Sequence, residues 1–454
     1  MEHMLKSIVR LHAYGKPVNF LQPFLESERV ASVGSGTFVD PADLGVSNLN
    51  PDYLYILTCA HVVDKADQVT VVLPLKGSEQ LSASVLSFVP KHNYDLAIVA
   101  LPNPNGMHNT FVEKLPLGSS TALVQGEKLV ALGFPMGQTG LKVSDGVFAG
   151  LQHYLQHTVS ISPGNSGGPL VNQNGELIGI NNAGLIHVAA SNIGYAVPIE
   201  LYVLTAPRFF NLSVGPPSPQ RVIRGVNFGF FLQPTTVEHM RQVASVSDES
   251  CCETGMFIFE VVPNSPAFEQ GIEPGDFLCA IENVPIDNTG DVPVSWSAQK
   301  VPVYTALERL SDPSRAYQFR IWSKKSRTCR QVRLAPRVLD LYANRYSYPP
   351  FDSVDYENIK GCIVMSLIKN HKHYPETMPS FVKLRPQDRF RPWLLVTHVV
   401  PGSPADQSQS LEAGDIIVQV NYKPVFTLKQ LRQAIQTQSS SVTLINENGK
   451  TTVL

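Results

Sequence analysis

The sequence lacks an excess of charge of either sign, and it lacks long apolar runs. Lysine and arginine number 36 against 38 aspartates and glutamates, which gives a net charge of −2. This balance gives no basic footprint for nucleic acid or for an anionic membrane surface. No apolar run approaches the roughly 18 residues of a membrane span. The amino terminus, MEHMLKSIVRL, has no secretory-signal pattern. We therefore expect no nucleic-acid partner, no membrane span and, by default, a cytoplasmic location, with an organelle or the nucleus left open.

Cysteine is also scarce, and its spacing excludes common cysteine-based sites. The six cysteines form no CxxC pair, and Cys251 and Cys252 are adjacent, which disfavours an unstrained bridge between them. Without a secretory signal, this predicts free thiols in a reducing compartment. No cysteine and histidine cluster has the spacing of zinc ligands. We therefore expect no metal and no cofactor.

What the chain does have is material for packed β-structure. Apolar residues make up 43% and charged residues 16% of the 454 residues, enough for about three domains. From about residue 7 to residue 210, short runs rich in Val, Ile and Phe alternate with turns. Such runs predict strands, and their spacing favours one or two small barrels over a βαβ sheet. The segment NLSVGPPSPQ that follows predicts a linker.

Beyond this linker the sequence repeats itself. The string VVPNSPA at 261–267 is followed by GDFL, and VVPGSPA at 399–405 is followed by GDII. Each copy continues into a short strand and a helical segment, VPVYTALERL in the first and TLKQLRQAI in the second. Such a repeat indicates two copies of one module. The predicted divisions are a domain at 1–210, a linker at 211–221, a first module at 222–335, a linker at 336–356 and a second module at 357–454.

The string SPGNSGGPL at 162–170 carries the clearest chemical signal. A serine hydroxyl is a poor nucleophile unless a base takes its proton and donors hold the developing oxyanion. Glycines beside Ser166 would let backbone N–H groups approach a substrate closely. The structural alternative is a Gly-rich turn between two strands.

A base and an orienting acid can be sought upstream of this serine. His61 directly follows the apolar run YILTCA, and Asp95 precedes the apolar run LAIVAL. A charged residue entering an apolar strand costs several kcal/mol unless it is paired. Pairing with His61 would supply that partner and fix the tautomer of the imidazole. Taken singly, His61 could be a satisfied core histidine and Asp95 a cap at a strand edge.

Six segments of the chain then point to one family: GSGTFVDP, LTCAHVV, YDLAIVAL, ALGFPMGQ, SPGNSGGPLVNQNGELIGINNAG and NIGYAVPIE. They resemble the HtrA/Deg-type serine proteases over nearly the whole chain. The resemblance implies a mostly β fold, with a chymotrypsin-like double β-barrel followed by two PDZ-like α+β domains. It implies that Ser166 is the nucleophile, His61 the general base and then acid, and Asp95 the orienting acid. It implies an oxyanion hole at Gly164, Asn165 and Ser166.

The resemblance also implies a specificity. Ser160, six residues before the nucleophile, and Ile161 beside it would line the floor of the primary pocket. Neither is a carboxylate, so a small apolar pocket is expected instead of one for Lys or Arg. The stretch 156–160 departs from the family, because many members have Thr-Asp there. The thiol of Cys59, two residues before His61, could act as a redox switch. The alternative is that Cys59 is a small buried hydrophobic residue.

The repeated modules and the amino terminus suggest partners. Phe228, Gly229 and Phe230 resemble the carboxylate-binding loop of PDZ domains, which predicts capture of peptide carboxy termini by strand addition. The alternative is a loop without a ligand. In the second module the comparable stretch 359–363 lacks this pattern. The segment 18–24 resembles an aromatic trimer-forming segment and predicts a homotrimer or higher homo-oligomer, the alternative being a strand lying on the barrel.

The leading hypothesis from the sequence is an ATP-independent serine endopeptidase that cleaves unfolded or damaged polypeptides and uses PDZ domains for peptide binding and regulation. The preference for unfolded substrates comes only from the resemblance. The alternative is a proteolytically inactive scaffold or chaperone that binds peptides. An esterase acting on small molecules is a third, weaker interpretation, because two PDZ-like modules suggest polypeptide ligands.

Overall fold

The structure is a computed structural model of the chain. It describes residues 2–47, 49–151, 153–182, 193–235, 252–287, 289–297, 299–436 and 441–454. Cys251 lies outside these residues.

The first barrel is built from six antiparallel strands that close in the order β1-β2-β3-β6-β5-β4. The strands are β1 Ile8–Gly15, β2 Val30–Val39, β3 Tyr53–Thr58, β4 Gln68–Val72, β5 Leu81–Val89 and β6 Leu96–Pro102. Their branched and aromatic residues fit a pleated surface buried on one face. In the pairing of β3 with β6, Thr58 lies opposite Ala97. The end of β3 and the start of β6 therefore share one end of the barrel.

The second barrel repeats this architecture in the order β10-β11-β12-β9-β8-β7. Its strands are β7 Lys128–Gly133, β8 Lys142–Leu151, β9 Leu155–His157, β10 Pro169–Val171, β11 Leu177–Asn181 and β12 Gly194–Pro198. The helices of this half are α1 Glu2–Ser7, α2 Ala60–Val63 and α3 Ile199–Phe209. Closed barrels leave no free sheet edge. The predicted double-barrel fold is confirmed.

The two carboxy-terminal modules are small sheets with short helices. The first has β13 Phe230–Pro234, β14 Met256–Val261, α4 Pro266–Glu269, β15 Phe277–Ile281, β16 Val284–Pro285, β17 Asp291–Val292, β18 Val301–Pro302, α5 Val303–Arg309, β19 Tyr317–Ser323 and β20 Thr328–Leu334. The second has β21 Tyr356–Ile359, β22 Cys362–Ser366, α6 Met378–Lys383, β23 Leu394–Val399, α7 Pro404–Gln407, β24 Ile416–Val420, β25 Lys423–Pro424, α8 Leu428–Gln436, β26 Thr443–Asn446 and β27 Thr451–Val453.

Strand order in the two modules matches, apart from one extra strand. The first sheet runs β13-β14-β15-β19-β20, and the second runs β21-β22-β23-β24-β26-β27. In each module the repeated Ser-Pro-Ala string begins a short helix whose first serine caps it, Ser265 in the first and Ser403 in the second. The repeat read from the sequence thus corresponds to a repeated fold, with β21 added on the outer edge of the second sheet.

The cysteines do not all carry free thiols, so that expectation is wrong. Cys252 and Cys279 form a disulfide within the first module, and Cys329 is also disulfide-bonded. Cys59 and Cys362 are free and buried. Sequence spacing did not reveal the bridge because strand β15 brings residue 279 back to residue 252 only after the module has folded. Disulfides persist in oxidising compartments.

Both predicted linkers lie on strand β5 of the first barrel. The buried Arg221 donates from its Nη1 to the carbonyl oxygen of Leu86 at 2.8 Å. Phe351 packs its ring edge against Phe88, with 4.9 Å between ring centroids. These segments therefore hold the modules against the barrel, while the domain boundaries themselves stay predictions.

The amino-terminal segment 18–24 packs on the second module of the same chain. The backbone N–H of Phe20 donates to the hydroxyl of Tyr374 at 3.1 Å. The ring of Phe24 lies 6.5 Å from that of Tyr356, between centroids. The segment is therefore not a strand of the barrel. Phe20 is buried and Phe24 stays exposed, and the role of the segment in assembly remains a prediction.

Within the described residues, no helix is both long and apolar enough to cross a bilayer.

Candidate active site

The pairing of β3 with β6 brings His61 and Asp95 to the same end of the first barrel. His61 lies on α2, directly after β3, and Asp95 immediately precedes β6. The N–H of Ala60 donates to the carbonyl oxygen of Asp95 at 3.2 Å, which ties the two chain segments together. Two residues 34 positions apart thus become neighbours because their strands are antiparallel and end together.

The Asp95 carboxylate accepts three hydrogen bonds. His61 donates its backbone N–H to Oδ1 at 2.9 Å, and its Nδ1 lies 2.7 Å from Oδ2. The side-chain amide of Asn182 donates to the same Oδ2 at 2.8 Å. This arrangement holds the imidazole with Nδ1 toward the acid, so that Nε2 is left for other chemistry.

Asn182 is a site residue that was not predicted from the sequence. It lies directly after β11, beside the serine turn, and no spacing rule marks it as a partner of Asp95. The string GINNAG shows an amide after an apolar strand, which is a weak signal.

The electrostatics of Asp95 favour the charged form. Its side chain is fully buried, and burial alone would raise its pKa. The hydrogen bonds and charge of His61, with the amide of Asn182, outweigh this and lower the pKa of Asp95 below its ordinary value. The backbone at Asp95 is left-handed, with φ of 59°. Strain of this kind costs about 1–3 kcal/mol and persists where the surroundings enforce it.

The turn that holds Ser166 packs against the end of β3. A Cβ on Gly167 would lie 2.1 Å from the hydroxyl of Thr58 and 3.0 Å from the backbone nitrogen of Cys59. Only glycine fits this contact, and it brings the serine turn beside the segment that leads into His61. The N–H of Ser35 donates to the carbonyl oxygen of Ser166 at 2.8 Å and fixes the turn further. The structure therefore gathers the three predicted catalytic residues in one region between the barrels.

The predicted oxyanion hole needs one correction. The N–H of Asn165 donates to the carbonyl oxygen of Ser162 at 3.0 Å, so it is used inside the turn. The carbonyl of Gly164 accepts from the hydroxyl of Ser35 at 2.7 Å, which orients the peptide that follows it. The backbone amides of Gly164 and Ser166 remain the predicted donors to the oxyanion. The amide of Asn165 is not one of them, because it is already hydrogen-bonded.

The predicted pocket residues lie beside this turn. Ser160 is exposed, and Ile161 is half-buried and packs against the core of the second barrel. His157, in the stretch that departs from the family pattern, is buried, and burial lowers its pKa to about 4. Residues 183–192 lie outside the described part of the chain.

The chemistry of Cys59 argues against a metal or redox role. Among the described residues, Cys59, His61 and Asp95 form the group that could offer ligands to a metal ion, because one potential ligand atom from each lies within 4.8 Å of the others. Burial raises the pKa of the Cys59 thiol well above its ordinary value, which disfavours the thiolate that metals and oxidants need. The other two residues are already hydrogen-bonded to each other. We assign no metal to this group.

The turn before Asp95 is also held from the first module. The hydroxyl of the buried Tyr94 donates to the carbonyl oxygen of Glu308, on α5, at 2.6 Å. The carboxylate of Glu308 lies 2.8 Å from Nδ1 of His153, in the connection between β8 and β9. One residue of the module thus contacts both barrels near the catalytic region.

The predicted peptide-binding loop is only partly as expected. Phe228 and Phe230 are buried and stack on each other, with 6.0 Å between ring centroids, so their side chains belong to the core of the module. The N–H of Gly229 donates to the side chain of Asn227 at 2.6 Å. One of the loop N–H groups is therefore hydrogen-bonded within the chain, and capture of a peptide carboxylate by this loop remains a prediction.

Comparisons with protein families agree with this architecture. A profile described as a trypsin-like peptidase domain matches residues 34–180. A profile described as a PDZ domain matches residues 395–445, in the second module. The first match contains all three residues of the predicted triad.

Individual relatives extend the match. The periplasmic serine endoprotease DegP of Escherichia coli is 25% identical over 94% of this chain and 77% of its own length. The putative serine protease HhoB of Synechocystis is 28% identical, over 57% of this chain and 61% of its own length. The solved structure of HtrA-type protease AlgW with a tripeptide has a TM-score of 0.53 at 20% identity, and covers 74% of this chain and 96% of its own. That last likeness shows the fold.

These findings confirm the predicted relationship and correct the predicted location. The chain contains a trypsin-like peptidase domain and a PDZ domain, and it is a homologue of the HtrA/Deg serine proteases. The cytoplasmic default is wrong, because DegP and a relative from Haemophilus influenzae are named periplasmic proteases.

Proposed function

We propose that this homologue of the HtrA/Deg serine proteases is an ATP-independent endopeptidase that cleaves unfolded or damaged polypeptides. The observation that carries the proposal is the buried Asp95 carboxylate, which accepts hydrogen bonds from both the backbone and the imidazole of His61. A fully buried acid paired with a histidine beside a serine turn is an arrangement suited to activating a hydroxyl.

The proposed reaction is acyl transfer to Ser166. Nε2 of His61 takes the hydroxyl proton while the serine oxygen attacks the scissile carbonyl carbon. Asp95 stays ionised and stabilises the imidazolium that forms. His61 then gives this proton to the leaving amine. A water molecule, deprotonated by the same nitrogen, releases the acyl group and restores the hydroxyl.

The oxyanion that develops in each half-reaction needs donors. We propose that the backbone N–H groups of Gly164 and Ser166, both in the serine turn, donate to this oxyanion. A preorganised donor of this kind is worth about 10²–10³ in rate in other serine proteases. Ser160 and Ile161 would line a small apolar pocket for the residue before the cut.

The remaining parts of the proposal concern partners. Polypeptide substrates are supported by the two-module architecture, and AlgW, whose fold this chain shares, was solved with a tripeptide. Binding of peptide carboxy termini at Phe228–Phe230 and assembly into a homotrimer or larger homo-oligomer remain proposals from the family resemblance. The inactive-scaffold alternative is not favoured, because the named relatives are serine proteases.

The test is digestion of a denatured protein mixture by the full chain, with mass-spectrometric mapping of cut sites. Ser166→Ala should abolish cleavage and labelling by a fluorophosphonate. Asp95→Asn should lower the rate by about 10⁴, because it favours the wrong histidine tautomer. Ser326→Ala, at an exposed serine in the first module, is the matched control and should change neither.

Two results would contradict the proposal. Absence of both cleavage and fluorophosphonate labelling in the unaltered chain would remove the assigned activity. Cut sites dominated by Lys or Arg would remove the apolar pocket while leaving the nucleophile assignment in place.

A further inference from the structure

Strand β1 of the first barrel turns one of its faces toward the second barrel. Side chains on a strand alternate between its two faces, so Ile8 and Arg10 share one face. Ile8 is buried against Leu132 in β7 and against Phe134 just beyond it. Arg10 follows on the same face and is only 8% exposed. The guanidinium group is therefore held between the barrels, largely shielded from water.

Arg10 binds the loop that follows β7. Its Nη1 donates to the carbonyl oxygen of Gln138 at 3.1 Å and to that of Gly137 at 3.3 Å. Among the described residues its hydrogen bonds go to these carbonyl oxygens and to no carboxylate, and its buried Nε has no partner. A buried cation without a counter-ion lowers stability. The residue therefore contributes more to the position of this loop than to the stability of the barrel.

The loop that Arg10 holds, residues 135–138, has a strained backbone. Met136 and Gly137 both have left-handed conformations, with φ of 55° and 70°. This conformation is costly for methionine and persists where the surroundings enforce it. The side chain of Met136 is 74% exposed, so its own packing does not enforce it. The hydrogen bonds of Arg10 to the loop carbonyls are among the contacts that do.

The loop in turn sets the direction of one peptide in the serine turn. The N–H of Met136 donates to the carbonyl oxygen of Pro163 at 2.6 Å. The peptide from Pro163 to Gly164 is trans, and the C=O and N–H of a planar trans peptide point in opposite directions. The N–H of Gly164, the first proposed donor to the oxyanion, is therefore directed away from the loop.

The second proposed donor is oriented differently. The N–H of Ser166 belongs to the peptide whose carbonyl oxygen, that of Asn165, accepts from the N–H of Gly168 at 3.0 Å. This bond lies within the serine turn itself. Of the two proposed donors, it is the N–H of Gly164 whose direction depends on the loop at 135–138.

We propose that Arg10 is a positioning residue of the oxyanion hole. Through two carbonyl oxygens it fixes the loop at 135–138, and through Met136 this loop keeps the N–H of Gly164 directed toward the oxyanion. Arg10 acts only through the loop and takes no part in the proton transfers. The inference rests on the proposed function, because it concerns the oxyanion of that reaction.

The test compares Arg10→Met with the unaltered full chain, using a fluorogenic peptide made from a mapped cut site. Methionine keeps much of the length of the side chain and removes the charge and the donors. We expect kcat to fall about 10- to 100-fold, less than for loss of a whole donor, with KM unchanged. The melting temperature should stay the same or rise, because an unpaired buried cation is removed. A merely structural role would lower it. Arg29→Met, at an exposed arginine of the same barrel, is the matched control and should change neither value.

Two further measurements report on the oxyanion hole itself. A peptide boronate forms a tetrahedral adduct with the serine, and its affinity should fall by the same factor as kcat/KM. The amide of Met136 should exchange with solvent faster in Arg10→Met than in the unaltered chain. Arg10→Lys keeps the charge and one donor, so it should recover part of the lost kcat. Should Arg10→Met not fold, Arg10→Lys carries the test, with a smaller loss of kcat expected.

Equal kcat in the unaltered chain and in the folded Arg10 variant would overturn the proposal, as would a loss of kcat that only follows a lower folded fraction. Unchanged exchange at Met136 would also overturn it, and this readout needs no turnover. An unaltered chain that cleaves no polypeptide contradicts the proposed function instead. A chain that cleaves, with kcat retained in the variant, contradicts this inference alone.

Discussion

The two carboxy-terminal modules share a sequence signature, a strand order and a glycine loop, yet their outer edges differ. On β13 of the first module, a tyrosine hydroxyl satisfies one residue of the edge. On β22 of the second, a four-residue strand does so, and Arg432 binds the carboxylates of Asp355 and Glu357 beside it. The repeat therefore determines the sheet and its loops in both modules. The segment that precedes each copy determines whether the outer edge of the sheet, at β13 or β22, stays accessible.

The largest expected difference in stability between the two modules comes from the disulfide of the first module. Cys252–Cys279 closes a loop of 27 residues, for which chain entropy gives about 3.5 kcal/mol. Replacing both cysteines with alanine should lower the stability of the first module by about this amount. The matched control is Cys362→Ala, which removes a buried free thiol from the second module and should cost about 1 kcal/mol. Urea unfolding read by hydrogen exchange of β15 and β24 measures both, and equal losses would contradict the comparison.

The glycine loops should respond alike, which tests the similarity of the modules. Gly229 and Gly361 have φ of 93° and 96°, and a Cβ on either would lie within about 2 Å of Ser265 or Ser403, the residues that cap α4 and α7. Replacement by alanine should cost each module about 2–4 kcal/mol through strain and crowding. The control is Gly449→Ala, where φ is also positive but no atom lies within 4 Å, and strain alone acts. A marked loss of stability in only one module, measured by thermal unfolding, would show that the two glycine loops are not equivalent.

The smallest expected effect concerns the strand that covers the second edge. Arg432→Ala removes the ion pairs to Asp355 and Glu357, but the arginine side chain is 38% exposed, so only about 0.5–1 kcal/mol should be lost. Backbone amides of β21 should then exchange several-fold faster with solvent, while those of β13 stay unchanged. Lys429→Ala, at an exposed position on the same helix, is the control. Unaltered exchange in β21 would show that strand pairing alone holds it.

The parts of the site that the sequence could predict are those with local signatures. The serine string, the histidine after a strand and the aspartate before one each stand at a strand end. Antiparallel pairing of β3 with β6 then brings His61 and Asp95 together. The many short apolar runs predicted one or two small barrels, the family resemblance implied the double barrel, and the repeat followed from two matching strings.

The parts that escaped prediction depend on contacts between distant segments. Asn182 reaches Asp95 only because β11 ends beside the serine turn. In the sequence, Tyr304 is an ordinary residue of a predicted helix. Only folding places β13 next to it. The bridge from Cys252 to Cys279 and the packing of Phe20 on the second module likewise depend on tertiary folding. None of these has a periodicity or a spacing that marks it in a single sequence.

Helix α5 has a further consequence because of its length. It contains seven residues, about 10 Å from end to end, with Tyr304 in its first turn and Glu308 near its last. Two turns of one helix therefore make both the contact with β13 and the contact with Tyr94, the residue next to Asp95.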